Sequence, residues 1–230
     1  MRRAALIAAA SGWGAGWRQT EAGPAELRAF GLAEKLQAGG IEAHWRATIG
    51  SPRHWREVPG PSTEAIFDLV AAHAGALSKE VEAALREGEF PVILGGDHAI
   101  AMGSWAGVAR ANQGPLGLIW LDAHLDAHTP ATTPSMNPHG MGAAALLGFG
   151  DPRFLDICGG VLAPEHLCYV GIRSFEAGEE ALLTRLGVRV IKMAEVNARG
   201  MAAAMEEALA IATRGTGGFG VTIDLDGFDP

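Results

Sequence analysis

Cysteine and positive charge are both scarce in this chain, and each scarcity removes a class of function. The only cysteines are Cys158 and Cys168. They are too few for a disulfide framework and lack metal-site spacing, so both read as reduced thiols in or near the core. Lysine and arginine number 18 against 26 aspartates and glutamates, a formal net charge of −8. A chain with that balance offers no basic face for a phosphate backbone, which excludes nucleic acid as a partner and suits a small cationic substrate better. Long apolar runs are missing as well. The start, Met1-Arg2-Arg3 followed by Ala4 to Ala10, has the outline of a signal peptide. Its apolar run is short, however, and passes into Trp13, Trp17 and Arg18, which reads as a first buried strand. Nothing approaches the roughly 20 apolar residues that span a bilayer. The expectation is a soluble cytoplasmic protein with no membrane partner.

What is present is the composition of a well-packed enzyme: 230 residues, 48% of them hydrophobic, with no repeat, linker or low-complexity tract. Short apolar runs alternate with longer helical patterns, the signature of an α/β fold with a parallel sheet covered by helices. Strands are expected at Ala4 to Ala10, Ile41 to Thr48, Pro91 to Leu94, Leu116 to Leu121, Leu167 to Gly171, Val188 to Met193 and Phe219 to Ile223. Helices are expected at Pro24 to Gln37, Thr63 to Arg86, Ala99 to Ala111, His139 to Gly148, Glu176 to Leu186 and Met201 to Thr213. The polar stretch from Ala123 to Pro138 is too long for an idle loop in a compact domain and reads as functional.

Three polar clusters follow strands: His98 after Val92 to Asp97, Asp122 after Leu118 to Leu121, and Asp224 after Gly220 to Ile223. Ligands of parallel sheets bind beyond the carboxyl ends of the strands, so these clusters form one candidate site. Asp122-Ala123-His124-Leu125-Asp126 places three metal-competent side chains within five residues, and alternation along an extended backbone sends all three to one side. Asp224-Leu225-Asp226 repeats the pattern. Each piece has a bland reading: His98 as a turn residue, Asp226-Gly227 as ordinary turn chemistry. Together they do not, because carboxylates gathered without a cation repel one another. The set His98, Asp122, His124, Asp126, Asp224 and Asp226 is oxygen-rich and free of sulfur, which favours Mn²⁺, with Fe²⁺, Co²⁺ or Ni²⁺ as alternatives. Six ligands suit two ions about 3.5 to 4 Å apart that share an activated water.

These motifs resemble the ureohydrolase family of arginases and agmatinases. The resemblance lies in Gly95-Gly96-Asp97-His98, Asp122 to Asp126, His139-Gly140-Met141 and Ile223 to Pro230, with Gly23 to Arg28 similar to the family's first helix. It implies a three-layer αβα fold with a mostly parallel sheet, about seven strands, in a single domain over residues 1–230 that lacks the family's C-terminal segment. It also implies a homo-oligomer, trimer or hexamer, and two Mn²⁺ per chain. In that pattern Asp122 and Asp224 bridge the ions. His98 and Asp126 complete one shell, His124 and Asp226 the other. A hydroxide between the ions then attacks the guanidino carbon while Asp126 relays a proton and His139 protonates the leaving amine.

Within the family the loop is closer to arginase, which converts L-arginine to L-ornithine and urea. Ser135 and Asn137 match the residues that hold the substrate carboxylate, and Gly171 to Glu179 matches the segment that reads the α-amino group. His128 and Glu176 stand in the same substrate-recognition shell where arginases commonly have Asn and Asp. The alternatives are therefore an agmatinase, a guanidinobutyrase or another amidinohydrolase, and more remotely a catalytically inactive metal-binding relative. A phosphatase or deacetylase would need a different substrate loop. The remaining histidines, His44, His54, His73 and His166, fit no motif and read as surface or satisfied core residues.

Overall fold

The computed structural model describes residues 3–51 and 60–228. His54 and the Asp229-Pro230 end of the last motif lie outside the described residues. All seven expected strands are present and every pairing between them is parallel. They form two sheets, of three and four strands, carried by two compact units: Met1–Ala111 with Met136–His139, and Asn112–Ser135 with Gly140–Pro230.

In the first unit β1 (Ala4–Ala10) lies between β2 (Ala43–Gly50) and β3 (Phe90–Gly95). A central parallel strand is covered on both faces, which explains an unbroken apolar run in place of an alternating one. Ala5, Ile7 and Ala9 pack against Leu77, Val81 and Ala84 of α3 (Thr63–Arg86). That helix starts at Ser62, whose hydroxyl accepts from the Ala65 amide at 3.2 Å. His73 on α3 is the satisfied core histidine expected: buried, with Nε2 3.1 Å from the Ile49 carbonyl. The expected helix from Pro24 to Gln37 is instead two, α1 (Gly23–Ala29) and α2 (Leu32–Ala38). Gly31 between them takes a left-handed φ of 77°, which a helix interior does not permit. β3 runs into α4 (Ile100–Ala111) through Gly96, where a Cβ would lie 1.8 Å from the Ser11 carbonyl oxygen. Only glycine lets the chain pass β1 there and deliver Asp97 and His98 to the end of the sheet.

In the second unit the strand order is β6 (Arg189–Lys192), β5 (Leu162–Ile172), β4 (Leu116–Leu121), β7 (Gly218–Ile223). Ile119, Cys168, Val170 and Ile191 form one core with Val196 of α8 (Met193–Arg199) and Ala204, Ala208 and Ala212 of α9 (Met201–Thr213). Alanine at every fourth position of α9 gives it a smooth face on which the strands pack closely. Both cysteines are free and buried as expected, and burial pushes the Cys168 thiol up to about 12. The expected helix at His139 to Gly148 is a 3-10 turn, Pro138–Met141, leading into α5 (Gly142–Leu146). Neither α6 (Pro152–Cys158) nor α8 was expected: at seven residues each they are too short to show a helical period. α7 (Ala177–Leu186) opens with a reciprocal capping pair, Glu176 and Glu179. No helix among the described residues is long and apolar enough to cross a membrane.

Candidate metal centre

In the second unit the chain leaves β4 at Leu121 and bends immediately, so the ligand run is a loop rather than a strand extension. This corrects the expectation that alternation aligns the side chains. Asp126 takes a left-handed φ of 47°, a conformation aspartate tolerates better than most residues, and the run reaches one place by turning. Its backbone is tied down along its length. Asp122 N–H donates to Val170 O, the Ala123 carbonyl accepts from the amides of Arg173 and Ser174, and the Asp126 carbonyl accepts from Ala143 N–H. Asp122 is 1% exposed. Its Oδ1 accepts from the His124 amide at 2.8 Å and its Oδ2 from the Trp120 indole at 3.0 Å.

β7 delivers its pair to the same end. Asp224 N–H donates to Leu121 O at 2.9 Å, and the Asp224 Oδ1 accepts from the Asp226 amide at 3.2 Å, opening a 3-10 turn at Leu225–Gly227. Arg173 clamps that turn, donating to the carbonyls of Asp226 at 2.7 Å and Gly227 at 3.3 Å. Asp226 Oδ2 lies 3.0 Å from His124 Nδ1, and Asp122 Oδ1 lies 3.6 Å from the same nitrogen. One donor atom each from Asp122, His124 and Asp226 thus falls within 4.8 Å of the others, the compactness a single cation requires.

The electrostatics of this group fit a cation. Asp122, with Asp226 and Asp126 around it, pushes His124 up to about 9 against the opposing effect of burial. Burial first, then the charges of Asp224 and Asp122, raise the Asp226 carboxyl. A cluster that draws protons onto both its imidazole and its carboxylate is short of positive charge. Oxygen and imidazole donors without sulfur suit a hard or borderline divalent ion.

A second cluster sits beside the first. His128 Nε2 lies 3.0 Å from Glu176 Oε2 and 3.3 Å from Glu179 Oε2, while its Nδ1 lies 3.1 Å from Thr132 Oγ1. Glu179 is buried, accepts from the Ala127 amide at 3.1 Å and is pushed up to about 7, chiefly by burial. Glu176 is held below the usual carboxylate range by its hydrogen bonds with Glu179 and then His128. Its side chain is 61% exposed, so Glu176 is the member of this cluster that meets solvent. Ser135 lies in the adjoining loop, its amide donating to Thr133 Oγ1 at 3.3 Å.

His98, Asn137 and His139 belong to the first unit. There Asp97 is buried and accepts from the amides of Gly14 at 3.0 Å and Ala99 at 2.9 Å. Burial raises its carboxyl, and the two amide hydrogen bonds, then the nearby His139 and His98, partly offset that rise. The His139 amide donates to Gly14 O at 3.0 Å, so one short segment, Gly14, ties both Asp97 and His139. Asp97, Trp120, Tyr169, Arg173 and Glu179 were not singled out by residue type or spacing. The contacts that tie them to the site or its loop, Gly14 for Asp97, Leu125 for Tyr169, Asp226 for Arg173 and Ala127 for Glu179, lie far off in sequence, whereas the place of Trp120 two residues before Asp122 on β4 was a readable signal.

The model of the arginase family matches residues 2–230. The chain is 37% identical over 217 residues to an arginase of Bacillus caldovelox, covering 93% of this chain and 72% of that one. The solved arginase of Bacillus cereus superposes with a TM-score of 0.90 at 33% identity, over 100% of this chain and 77% of that one. The arginase of Entamoeba histolytica, solved in complex with L-ornithine, superposes at 0.90 with 27% identity, over 100% of this chain and 78% of that one. With a match across nearly its whole length and an Asp-His-Asp group at the strand ends, the chain belongs to the arginase family, hydrolases acting on guanidino C–N bonds.

Proposed function

We propose that the chain hydrolyses L-arginine to L-ornithine and urea at a two-ion centre, with Mn²⁺ as the preferred metal. The observation that carries this reading is the group Asp122, His124 and Asp226, whose donor atoms lie within 4.8 Å of one another and which together hold too little positive charge. His98, Asp126 and Asp224 would complete the set of residues that hold the metal. When bound, such ions make a water acidic enough to act as a nucleophile at neutral pH.

The protein's own groups do the rest. Guanidinium is resonance-stabilised and always charged, so the site must hold a cation and still offer an attacking oxygen. Asp126 takes the proton released on attack and passes it toward the leaving nitrogen, and His139 donates to the departing amine. Glu176 reads the α-amino group, His128 supports it, and Ser135 and Asn137 receive the carboxylate. Support for arginine as substrate comes from the B. caldovelox arginase at 37% identity and from the ornithine bound in the E. histolytica relative. The protein is proposed to act in the cytoplasm as a homo-oligomer.

One observation favours a second reading. Both ring nitrogens of His128 are engaged, by Thr132 on one side and by Glu176 and Glu179 on the other. That leaves the ring with no donor to add to Ser135 and Asn137 for a substrate carboxylate, so a substrate without one, such as agmatine, gives up only the contacts of those two residues. Urea release measured on arginine, agmatine and 4-guanidinobutyrate decides between them: arginine is expected to have the highest kcat/KM. Preference for agmatine or 4-guanidinobutyrate overturns the arginase assignment and keeps the class. Undiminished hydrolysis after complete chelation sinks the metal mechanism.

A further inference from the structure

Two fully buried aromatic rings lie beneath the ligand loop, and each aims its one polar atom at it. Trp120 stands on β4 two residues before Asp122, and its Nε1–H donates to Asp122 Oδ2 at 3.0 Å. Tyr169 is the register partner of Trp120 on β5. The two rings pack at 5.8 Å between centroids with a 42° tilt, and the Tyr169 hydroxyl donates to the Leu125 carbonyl at 2.8 Å, in the middle of the ligand run. Burial keeps that hydroxyl protonated, with the charges of Asp126 and Asp122 acting in the same direction.

Packing alone does not call for this arrangement. Phenylalanine in place of Tyr169 fills nearly the same volume, and a wholly apolar side chain at either position leaves no polar atom to satisfy. The polar atoms matter because of what they touch. Asp122 is a desolvated carboxylate, and a hydrogen bond to an ionised acceptor is about twice as strong as a neutral one. With the indole on Oδ2 and the His124 amide on Oδ1, rotation of the carboxylate is blocked at both oxygens. A carboxylate held in this way has no orientational freedom left to lose when a cation arrives, whereas a free one must be ordered by the metal itself.

We propose that Trp120 and Tyr169 are positioning residues for the metal centre: the indole N–H holds the Asp122 carboxylate in one orientation, and the phenol anchors the loop that carries His124 and Asp126. This inference rests on the reading of the site as a divalent-metal centre. It assigns neither ring to the substrate and gives neither a part in proton transfer, so both act through Asp122 and the loop.

The test uses chelator-stripped full chain titrated with Mn²⁺, with free Mn²⁺ followed by its electron paramagnetic resonance signal. Trp120→Phe deletes the N–H together with part of the ring system, a volume loss that Trp105→Phe repeats elsewhere, and it is expected to raise the Mn²⁺ dissociation constant by about 10- to 100-fold, the range typical of groups that orient metal ligands. At saturating Mn²⁺ its KM for arginine stays at the parent value and kcat recovers. Trp105→Phe is the control, because the Trp105 indole N–H is buried with no hydrogen-bond partner among the described residues, and its Mn²⁺ affinity is expected to match the parent. Parent-like Mn²⁺ affinity in Trp120→Phe overturns the proposal. Where that variant fails to fold, Tyr169→Phe decides: weaker Mn²⁺ binding supports the proposal and unchanged binding overturns it. A parent protein that binds no Mn²⁺ fails the metal-centre reading itself, a result distinct from a parent and a Trp120→Phe variant that bind equally well.

Discussion

β4 and β7 run side by side, and each ends in an Asp-x-(His/Asp) pattern, yet they hold their ligands under opposite conditions. Asp122 at the end of β4 is 1% exposed, with a donor on each carboxylate oxygen, whereas the side chain of Asp226 beyond β7 is 48% exposed. The strands differ in the same way. β4 is buried along nearly its whole length, while Phe219, Val221 and Ile223 of β7 are exposed. The comparison separates two tasks within one cluster. The β4 side is held by the two hydrogen bonds to the buried Asp122 carboxylate, and the β7 side by its turn, the Arg173 clamp and the His124 contact.

The largest effect that sharpens this contrast is expected for Asp122→Asn. Asparagine removes the carboxylate charge proposed to hold the metal and sets an NH₂ against either the Trp120 indole or the His124 amide, both donors. Mn²⁺ affinity should fall by more than the roughly 100-fold upper end seen for groups that only orient ligands. A buried donor left facing a donor should also cost the metal-free protein about 1–3 kcal/mol, read by urea denaturation. Asp226→Asn should weaken Mn²⁺ binding too, while leaving metal-free stability within about 1 kcal/mol of the parent, because its ion pair is half exposed. Equal stability losses in the two variants would erase the distinction between the strand ends.

A pH titration of the metal-free protein gives a smaller effect with a definite sign. His124 is held up to about 9 in the folded chain, against an ordinary value of 6.5. The folded state binds that proton more tightly, so the stabilisation is complete below about pH 6.5 and fades as pH rises through about 9. Metal binding requires the neutral imidazole, so Mn²⁺ affinity should rise over the same interval as the proton is displaced. Thermal denaturation of the metal-free His124→Asn variant checks the assignment, since this part of the pH dependence should vanish with the imidazole.

The smallest effect is expected for Arg173→Ala. The turn after β7 loses two donors to its carbonyls, a cost of about 1 kcal/mol for a partly exposed bond. Mn²⁺ affinity should drop only a few-fold if the clamp merely steadies Asp226, which calorimetric titration can read. A loss as deep as that of Asp122→Asn would show that the β7 side is not the adaptable one.

The same contrast explains what could be read in advance. The candidate site residues stood out because aspartate and histidine at strand ends are costly without a purpose, and the strands were legible because parallel strands are apolar without interruption. β1 and β4 fall at the expected residues for that reason, and α3 and α9 do so because each is long enough to show its helical pattern. The conformation of the ligand run was not legible: alternation predicted an extended backbone, and a left-handed Asp126 replaces it. Nor were the groups that hold the ligands. Tyr169 is 44 residues from Leu125 and Glu179 is 52 from Ala127, and such pairings depend on β5 lying beside β4. Gly31 splits a helix whose apolar pattern continues through it, because one positive φ overrides periodicity.

Urea production is proposed to depend on a two-ion centre on this chain, a dependence that a single titration can read. Chelator-stripped protein is given increasing Mn²⁺ while bound metal and urea release from arginine are measured together. The account predicts no urea without metal and a rate that rises to a plateau at about two ions per chain. Full activity in metal-free protein, or saturation with no bound Mn²⁺, would contradict it.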